Sequence, residues 1–152
     1  MKKIKSKKSN KEMAKVFRET GKWFLSLPEG ALVDMTNVYS SAESVTCSTP
    51  SCFGGWLALK YKTGQSEYFL RHFADGANAF AEELGFTYRD DLTEYAAENP
   101  EIWGNKNGDE MFCSAYAFNE GDKEYTNETI TTKAIGEKLI AVAKRLEETT
   151  TA

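Results

Sequence analysis

Apolar residues recur at helical spacing in the early and late parts of the chain. Between Asn10 and Leu27, apolar side chains at positions 13, 16, 17, 24 and 27 predict a helix that Pro28 ends. Between Thr131 and Glu148 one helical face carries six apolar side chains, namely Ala134, Ile135, Leu139, Val142, Ala143 and Leu146. Both patterns predict an amphipathic helix that buries one side.

The segment from Pro50 to Lys62 is predicted to be the central helix of the fold. Thr49 is a favourable N-cap, Pro50 suits the first helical position, and Gly64 can end the helix in a left-handed turn. Apolar residues occupy nearly every face of this segment, which is typical of a helix surrounded by other elements. We therefore expect it to be buried.

Two shorter helices are predicted between Asp75 and Asn99. The first follows Asp75 and ends at Gly85, and the second is capped by Asp90 or Asp91 and ends at Asn99, before a proline. Both carry apolar residues at helical spacing, so each should cover part of the core.

The fold class that follows is mainly α, a single compact domain of five to six helices around the central buried one. Residues 111–118 favour a further helix, and residues 31–39 form either a short strand or an extended segment. We expect a basic flexible tail over residues 1–11, one helical domain over 12–148, and a frayed end over 149–152.

The composition supports one soluble domain. The chain has 152 residues, of which 41% are hydrophobic and 28% charged, which excludes collagen-like, low-complexity and disulfide-dense classes. No stretch approaches the roughly 20 apolar residues of a membrane span, and no apolar stretch follows the early lysines as in a secretion signal. We therefore expect a cytoplasmic protein with reduced cysteines and no membrane contact.

The net charge of −4 hides an asymmetry along the chain. Residues 1–11 carry six lysines and no acid, whereas the other 141 residues carry 13 basic and 23 acidic side chains. A mobile, solvated terminus is the simpler interpretation of the lysines, and an arm that contacts phosphates is the alternative. We expect direct nucleic-acid binding, if any, only through this tail from Lys2 to Lys11.

An acidic run extends from Glu82 to Glu110, with nine acids against Arg89 and Lys106. Such a run is ordinarily a solvated helical face, and the alternative is an interaction surface for a basic partner or a nucleic-acid mimic. Trp103 adds an aromatic side chain beside a loop, where it could anchor an interface. The candidate binding residues are Asp90, Asp91, Glu94, Glu98, Glu101 and Trp103.

The cysteines and the single histidine offer two chemical alternatives. Cys47, Cys52, His72 and Cys113 could together ligate zinc, although their spacing fits only loosely. Cys52, in the first turn of the central helix, could instead be a hydrolase nucleophile with His72 as its base. Buried thiols are the simpler interpretation, so we assign no catalytic residue, no metal site and no cofactor.

The stretch from Cys47 to Trp56 resembles the pattern C-x-T-x-x-C-x-x-G-W of a loose group of small, uncharacterised bacterial and phage proteins. Residues 80–85 fill the place of the A-x3-L-G segment that often follows it there, with two residues instead of three between Ala81 and Leu84, and Ser48 replaces the usual glycine. The resemblance covers roughly residues 13–104. It implies a small α-rich domain of mobile-element or phage type and transfers no catalytic residue.

These observations lead to a hypothesis about function. We expect a non-catalytic cytoplasmic protein that binds, and inhibits, a host protein with a basic surface through an acidic and aromatic surface. The alternatives are a small-molecule or nucleotide-binding module and a cysteine hydrolase that uses Cys52 and His72. The sequence leaves open the identity of the partner and the oligomeric state.

Overall fold

The computed structural model describes residues 4–27, 53, 57, 60–61, 73–112, 114–126 and 129–151. Within these ranges the fold is mainly α-helical with almost no strand, which confirms the predicted fold class. The α-helices there are α1 (Asn10–Leu25), α2 (Phe73–Glu83), α3 (Arg89–Glu98), α4 (Pro100–Trp103) and α5 (Thr132–Thr151). Gly108–Glu110 and Ala115–Phe118 are 3₁₀ helices.

The start of α1 is fixed by a capping box. The Ser9 hydroxyl accepts a hydrogen bond from the Glu12 amide at 3.1 Å, and the Glu12 carboxylate accepts one from the Ser9 amide at 3.0 Å. This exchange satisfies two donors that a helix N-terminus leaves unpaired. The predicted helix is confirmed, but it begins at Asn10, so residues 10 and 11 do not belong to a flexible tail.

Helices α1 and α5 pack against each other in antiparallel directions. Arg18 pairs with Glu147 at 2.6 Å, whereas Gly21, further along α1, lies beside Gly136, near the start of α5. The six apolar side chains predicted for the last helix are all buried. Helix α5 continues to Thr151, so residues 149–151, expected to be frayed, are helical.

Phe53, from the predicted central helix, lies in the middle of the core. The described residues of that segment, at positions 53, 57, 60 and 61, are helical, and Phe53 and Leu57 are fully buried. The Tyr61 hydroxyl lies 2.9 Å from that of Thr20 on α1. The Phe53 ring packs against those of Phe24, Phe80, Phe112 and Phe118 at centroid distances of 5.1 to 5.8 Å.

Two local predictions are wrong. Neither Asp90 nor Asp91 caps α3, because the N-cap position is Tyr88 and the two acids lie in the first turn, where carboxylates favour the helix dipole. Residues 111–118 are not one helix, because Ser114 is extended and its hydroxyl accepts from the Tyr116 amide to start a separate 3₁₀ turn. Residues 31–39 lie outside the described ranges.

The ends predicted for α2 and α3 are confirmed. Gly85 follows α2 with a φ of 90°, a left-handed conformation that glycine adopts without strain. Asn99 is the C-cap of α3, and Pro100 occupies the first turn of α4. Asn99 is non-helical, so Glu101 belongs to a short second helix that follows α3 directly.

Candidate functional site

The acids of α3 occupy one side of the helix. At about 100° per residue, Asp90, Asp91, Glu94 and Glu98 fall within an arc of about 100°. The buried residues Leu92, Tyr95 and Ala96 project from the other side into the core. We call the acids of α3 together with Glu101 of α4 the acidic face.

The acidic face is directed towards solvent. Asp90, Glu94 and Glu101 are exposed, and Asp91 and Glu98 are partly exposed. Among the described residues, no cation forms an ion pair with Asp90, Glu94 or Glu101. The charge of these three carboxylates is therefore not neutralised by the part of the protein that the structure describes, and it is available to a partner.

Trp103 does not belong to this surface, contrary to the sequence-based prediction. Its side chain is 2% exposed, and its indole N–H donates to the carbonyl of Ala117 at 2.7 Å. The indole also packs edge-on against Phe118. Trp103 fills the core because its one polar group finds a buried acceptor there.

Tyr88, an aromatic residue outside the predicted set, is close in sequence to the acidic face. It is the N-cap of α3, is 63% exposed and stands two residues before Asp90. Exposed tyrosines combine a large contact area with a hydroxyl and often anchor interfaces. Tyr88 is thus the exposed aromatic residue that precedes the acids of α3 along the chain.

Glu98, at one edge of the acidic face, contacts the lysine-rich segment, defined here as residues 4–9. The Ile4 amide donates to the Glu98 carboxylate at 2.9 Å. The Lys7 amide donates to the carbonyl of Gly85 at 2.9 Å, and the Lys8 ammonium donates to that of Glu83 at 2.5 Å. Residues 4–9 are thus bonded to the ends of α2 and α3, and the flexibility expected for the tail stays a prediction.

A second charged group, away from the acidic face, joins α5 to the end of α4. The Lys138 ammonium is 2.8 Å from the Glu120 carboxylate, which Arg145 also contacts at 2.6 Å. The Arg145 guanidinium in addition donates to the carbonyls of Ile102 and Trp103 at 2.6 and 2.9 Å. We call Glu120, Lys138 and Arg145 the ionic cluster.

Burial and pairing shift the pKa values in the ionic cluster. Lys138 is 1% exposed, and this burial lowers the pKa of its ammonium, although the hydrogen bond to Glu120 opposes the shift. Burial alone would raise the pKa of Glu120, but hydrogen bonds from Arg145 and Lys138 outweigh it and lower the pKa. Every polar group here has a partner within the protein, which is typical of a structural site.

Lys138 has a sequence signal that the predicted site residues did not include. It stands between Ile135 and Val142, at three and four residues from them, and therefore on the apolar side of α5. A lysine at such a position must find a buried carboxylate or carbonyl. Its partner Glu120 comes from a loop, so no local pattern identifies it.

The described residues also border two cavities away from the acidic face. One, of about 320 Å³, is bordered by Phe118, Tyr125 and Lys138, but the Lys138 ammonium is already engaged by Glu120 and by the carbonyl of Asn119. The other, of about 440 Å³, is a groove beside α1 in which basic and acidic side chains alternate. In this groove, of the described residues only Arg18 forms an ion pair, with Glu147, and the acids Glu12 and Glu19 beside the lysines oppose the binding of a phosphate.

The cysteine and histidine hypotheses fall outside the described ranges. Cys47, Cys52, His72 and Cys113 are not among the described residues. Across the residues that are described, there is no group of three or more potential metal ligands. Within the same residues, no helix combines the length and apolar character needed to cross a membrane.

Comparison with known proteins gives no family, since no protein-family model, no curated protein and no solved structure matches the chain. Function must therefore be inferred from the geometry of the chain itself.

Proposed function

We propose that this chain is a non-catalytic, cytoplasmic binding protein of mobile-element or phage type that binds and inhibits a host protein through the acidic face. The observation that carries the proposal is the exposure of Asp90, Glu94 and Glu101, without a cationic partner among the described residues. The chemistry of this surface calls for a partner with a cluster of lysines or arginines. Such complementarity accelerates association and selects the partner by charge.

The helical scaffold supports this function. Leu92, Tyr95 and Ala96 attach α3 to the core, so the carboxylates are presented by a rigid element rather than a loop. Few side chains need to be ordered on binding, which lowers the entropic cost of association. Tyr88 adds an aromatic contact at the start of the same helix.

The test is the capture of partners from host lysate with the intact protein and with two matched variants. In the face variant, Asp90→Asn, Glu94→Gln and Glu101→Gln remove three exposed negative charges. In the control variant, Glu19→Gln, Asp122→Asn and Glu124→Gln remove three exposed charges elsewhere.

We expect a partner that the intact protein and the control variant retain at low salt and that the face variant loses. The partner should also dissociate as the salt concentration rises, because exposed charges are screened within about 8 Å at physiological ionic strength. Equal loss from both variants would show a general effect of net charge and would contradict the proposal. So would a partner that binds the face variant as well as the intact protein.

Tyr88→Ala tests the aromatic contribution separately. Truncation of an aromatic anchor commonly weakens binding about tenfold or more, whereas Tyr116→Ala, at a residue that is 53% exposed and away from α3, should have little effect. Identical affinities of the two variants would limit the interface to the carboxylates.

The nucleotide-binding and hydrolase alternatives have less support. The cations of the described residues that border cavities are paired or interleaved with acids, and the residues of the hydrolase hypothesis lie outside the described ranges. Rapid alkylation of Cys52 at neutral pH would favour the hydrolase.

A further inference from the structure

We propose that residues 4–8 form a releasable strap, which occupies the Glu98 edge of the acidic face and is displaced by a lysine-rich extended segment of the partner. This inference rests on the proposed function, because it names the chemistry of the ligand that the acidic face accepts. The strap is in effect a ligand supplied by the chain itself.

The strap binds through four donors, three of which are groups that any lysine-containing peptide also has. Its backbone N–H groups reach the Glu98 carboxylate, from Ile4, and the Gly85 carbonyl, from Lys7. The Lys8 ammonium reaches the carbonyl of Glu83, and the Ser6 hydroxyl reaches that of Leu84. A lysine-rich peptide can replace the backbone N–H and ammonium donors, and one of its ammonium groups can take the place of the Ser6 hydroxyl.

The acceptors are ones that a helix end leaves open. Glu83 is the last residue of α2, and the carbonyls of a final turn have no partner within the helix. They also form the negative end of the helix dipole, which attracts an ammonium group. The surface covered by the strap therefore has the same sign as the acidic face and extends it.

Gly85 allows the strap to come close. A Cβ atom at this position would meet the Ser6 hydroxyl and would lie 2.8 Å from the Lys8 amide nitrogen. The φ of 90° that lets Gly85 end α2 thus also leaves room for the segment that crosses it. The connection between α2 and α3 therefore leaves space for a second chain segment to pack against Gly85.

The strap is held weakly enough to be displaced. Its hydrogen bonds to Glu83, Leu84 and Glu98 are exposed or only partly buried, and it contacts the core through the partly buried side chain of Ile4. Each such bond contributes about 1 kcal/mol, so the segment can open without unfolding the core. Binding of a partner to the covered surface is weakened by the fraction of molecules in which the strap is closed.

Lys7→Pro and Lys7→Ala form a matched pair of variants. Both remove one exposed positive charge, but only proline removes the N–H that donates to Gly85. The probe is a decalysine peptide, titrated against each full-length variant by fluorescence anisotropy at low salt. Hydrogen exchange of the amides of residues 4–9 reports opening of the strap directly.

We expect Lys7→Pro to accelerate exchange in residues 4–9 and to bind decalysine about three- to tenfold more tightly than Lys7→Ala. Ser6→Ala, which removes the hydroxyl that contacts Leu84, should shift both readouts in the same direction by a smaller amount. Unchanged exchange in Lys7→Pro would show that these bonds do not hold the segment. Faster exchange without tighter binding of decalysine would show that the strap does not compete with the peptide for the acidic face. Either result overturns the inference.

The two proposals fail in different ways. Capture of a host protein that depends on Asp90, Glu94 and Glu101 can succeed with a strap that never opens. Conversely, the strap can open and compete with decalysine when no host protein is captured. The exchange and peptide data therefore judge the strap, and the capture experiment judges the proposed function.

Discussion

Gly21 of α1 and Gly136 of α5 face each other where the two helices cross. A Cβ on either glycine would lie 2.8 Å from the carbonyl oxygen of the other, closer than real Cβ contacts. The absence of both side chains therefore permits the close approach of the two longest described helices. A side chain at either position would force the helices to separate.

Gly21→Ala should destabilise the protein by about 1 to 3 kcal/mol, because the methyl group forces the helices apart. An alanine at an unobstructed helical position would instead add about 1 kcal/mol of stability relative to glycine. The sign of the change in the free energy of unfolding therefore shows whether the two helices cross as closely as described. Urea unfolding measures it, and a Gly21→Ala variant as stable as the parent protein would contradict the close crossing.

The ionic cluster predicts unequal effects for its members. Glu120→Ala leaves the buried Lys138 ammonium without a counter-ion and should cost about 3 to 5 kcal/mol. Lys138→Met removes the buried charge, and Glu120 still pairs with Arg145, so we expect a loss below about 1.5 kcal/mol. Urea unfolding of both variants gives the comparison. Equal losses of stability in Glu120→Ala and Lys138→Met would show that Lys138 itself stabilises the protein, and would contradict this interpretation.

The stability should also depend on pH through Glu120. Its pKa is lowered in the folded protein, so its contribution is present above the ordinary value of 4.5 and is lost as the pH falls through the folded pKa. Glu120→Gln cannot titrate. The stability difference between the parent protein and this variant should therefore be largest near neutral pH and should narrow below about pH 4.5.

Urea unfolding between about pH 3 and pH 7 measures this difference. Glu12 and Glu147, whose pKa values are also lowered by their hydrogen bonds, titrate in both proteins and cancel. A difference that stays constant over the whole range would contradict the charged pairing of Glu120.

Gly104, which follows α4, packs against the ionic cluster, so a substitution there tests how tightly the cluster is packed. Its φ is 104°, and a Cβ there would lie 2.6 Å from the Glu120 carboxylate and 2.8 Å from the Lys138 ammonium. Gly121 has a φ of 58° and open space around it. Gly121→Ala should cost about 1 kcal/mol from backbone strain alone.

Gly104→Ala should cost at least about 2 kcal/mol more than Gly121→Ala, since it must also displace the cluster and since a φ of 104° lies outside the left-handed region that alanine tolerates. Thermal and urea unfolding of the two variants give the comparison. Equal losses would mean that the ionic cluster yields easily to an added methyl group.

The helices with a clear apolar side were predictable from the sequence. The apolar residues at helical spacing from Ala134 to Leu146 predicted α5, and the helix-ending residues Gly85 and Asn99 predicted the ends of α2 and α3. Local patterns suffice there because periodicity and turn chemistry are properties of neighbouring residues. The mainly α fold class follows from the same patterns.

The errors came from contacts between distant parts of the chain. Trp103 borders a loop, yet the Ala117 carbonyl offers its indole a buried acceptor, which periodicity cannot reveal. In the same way, Ile4 bonds to a residue 94 positions away and Lys7 to one 78 positions away, and no local pattern in the lysine-rich segment indicates these partners. The acidic residues of α3 were predictable as a group, but their single-sided arrangement required the helix boundaries.

The most direct test of the acidic face as a binding surface is carboxylate footprinting of the complex captured from host lysate. Carbodiimide-mediated labelling of aspartates and glutamates, located by mass spectrometry, compares the free and bound protein at each exposed acid. We predict that Asp90, Glu94 and Glu101 lose labelling in the complex while Glu19, Asp122 and Glu124 keep it. Protection of the second set, with the first still labelled, would contradict the account.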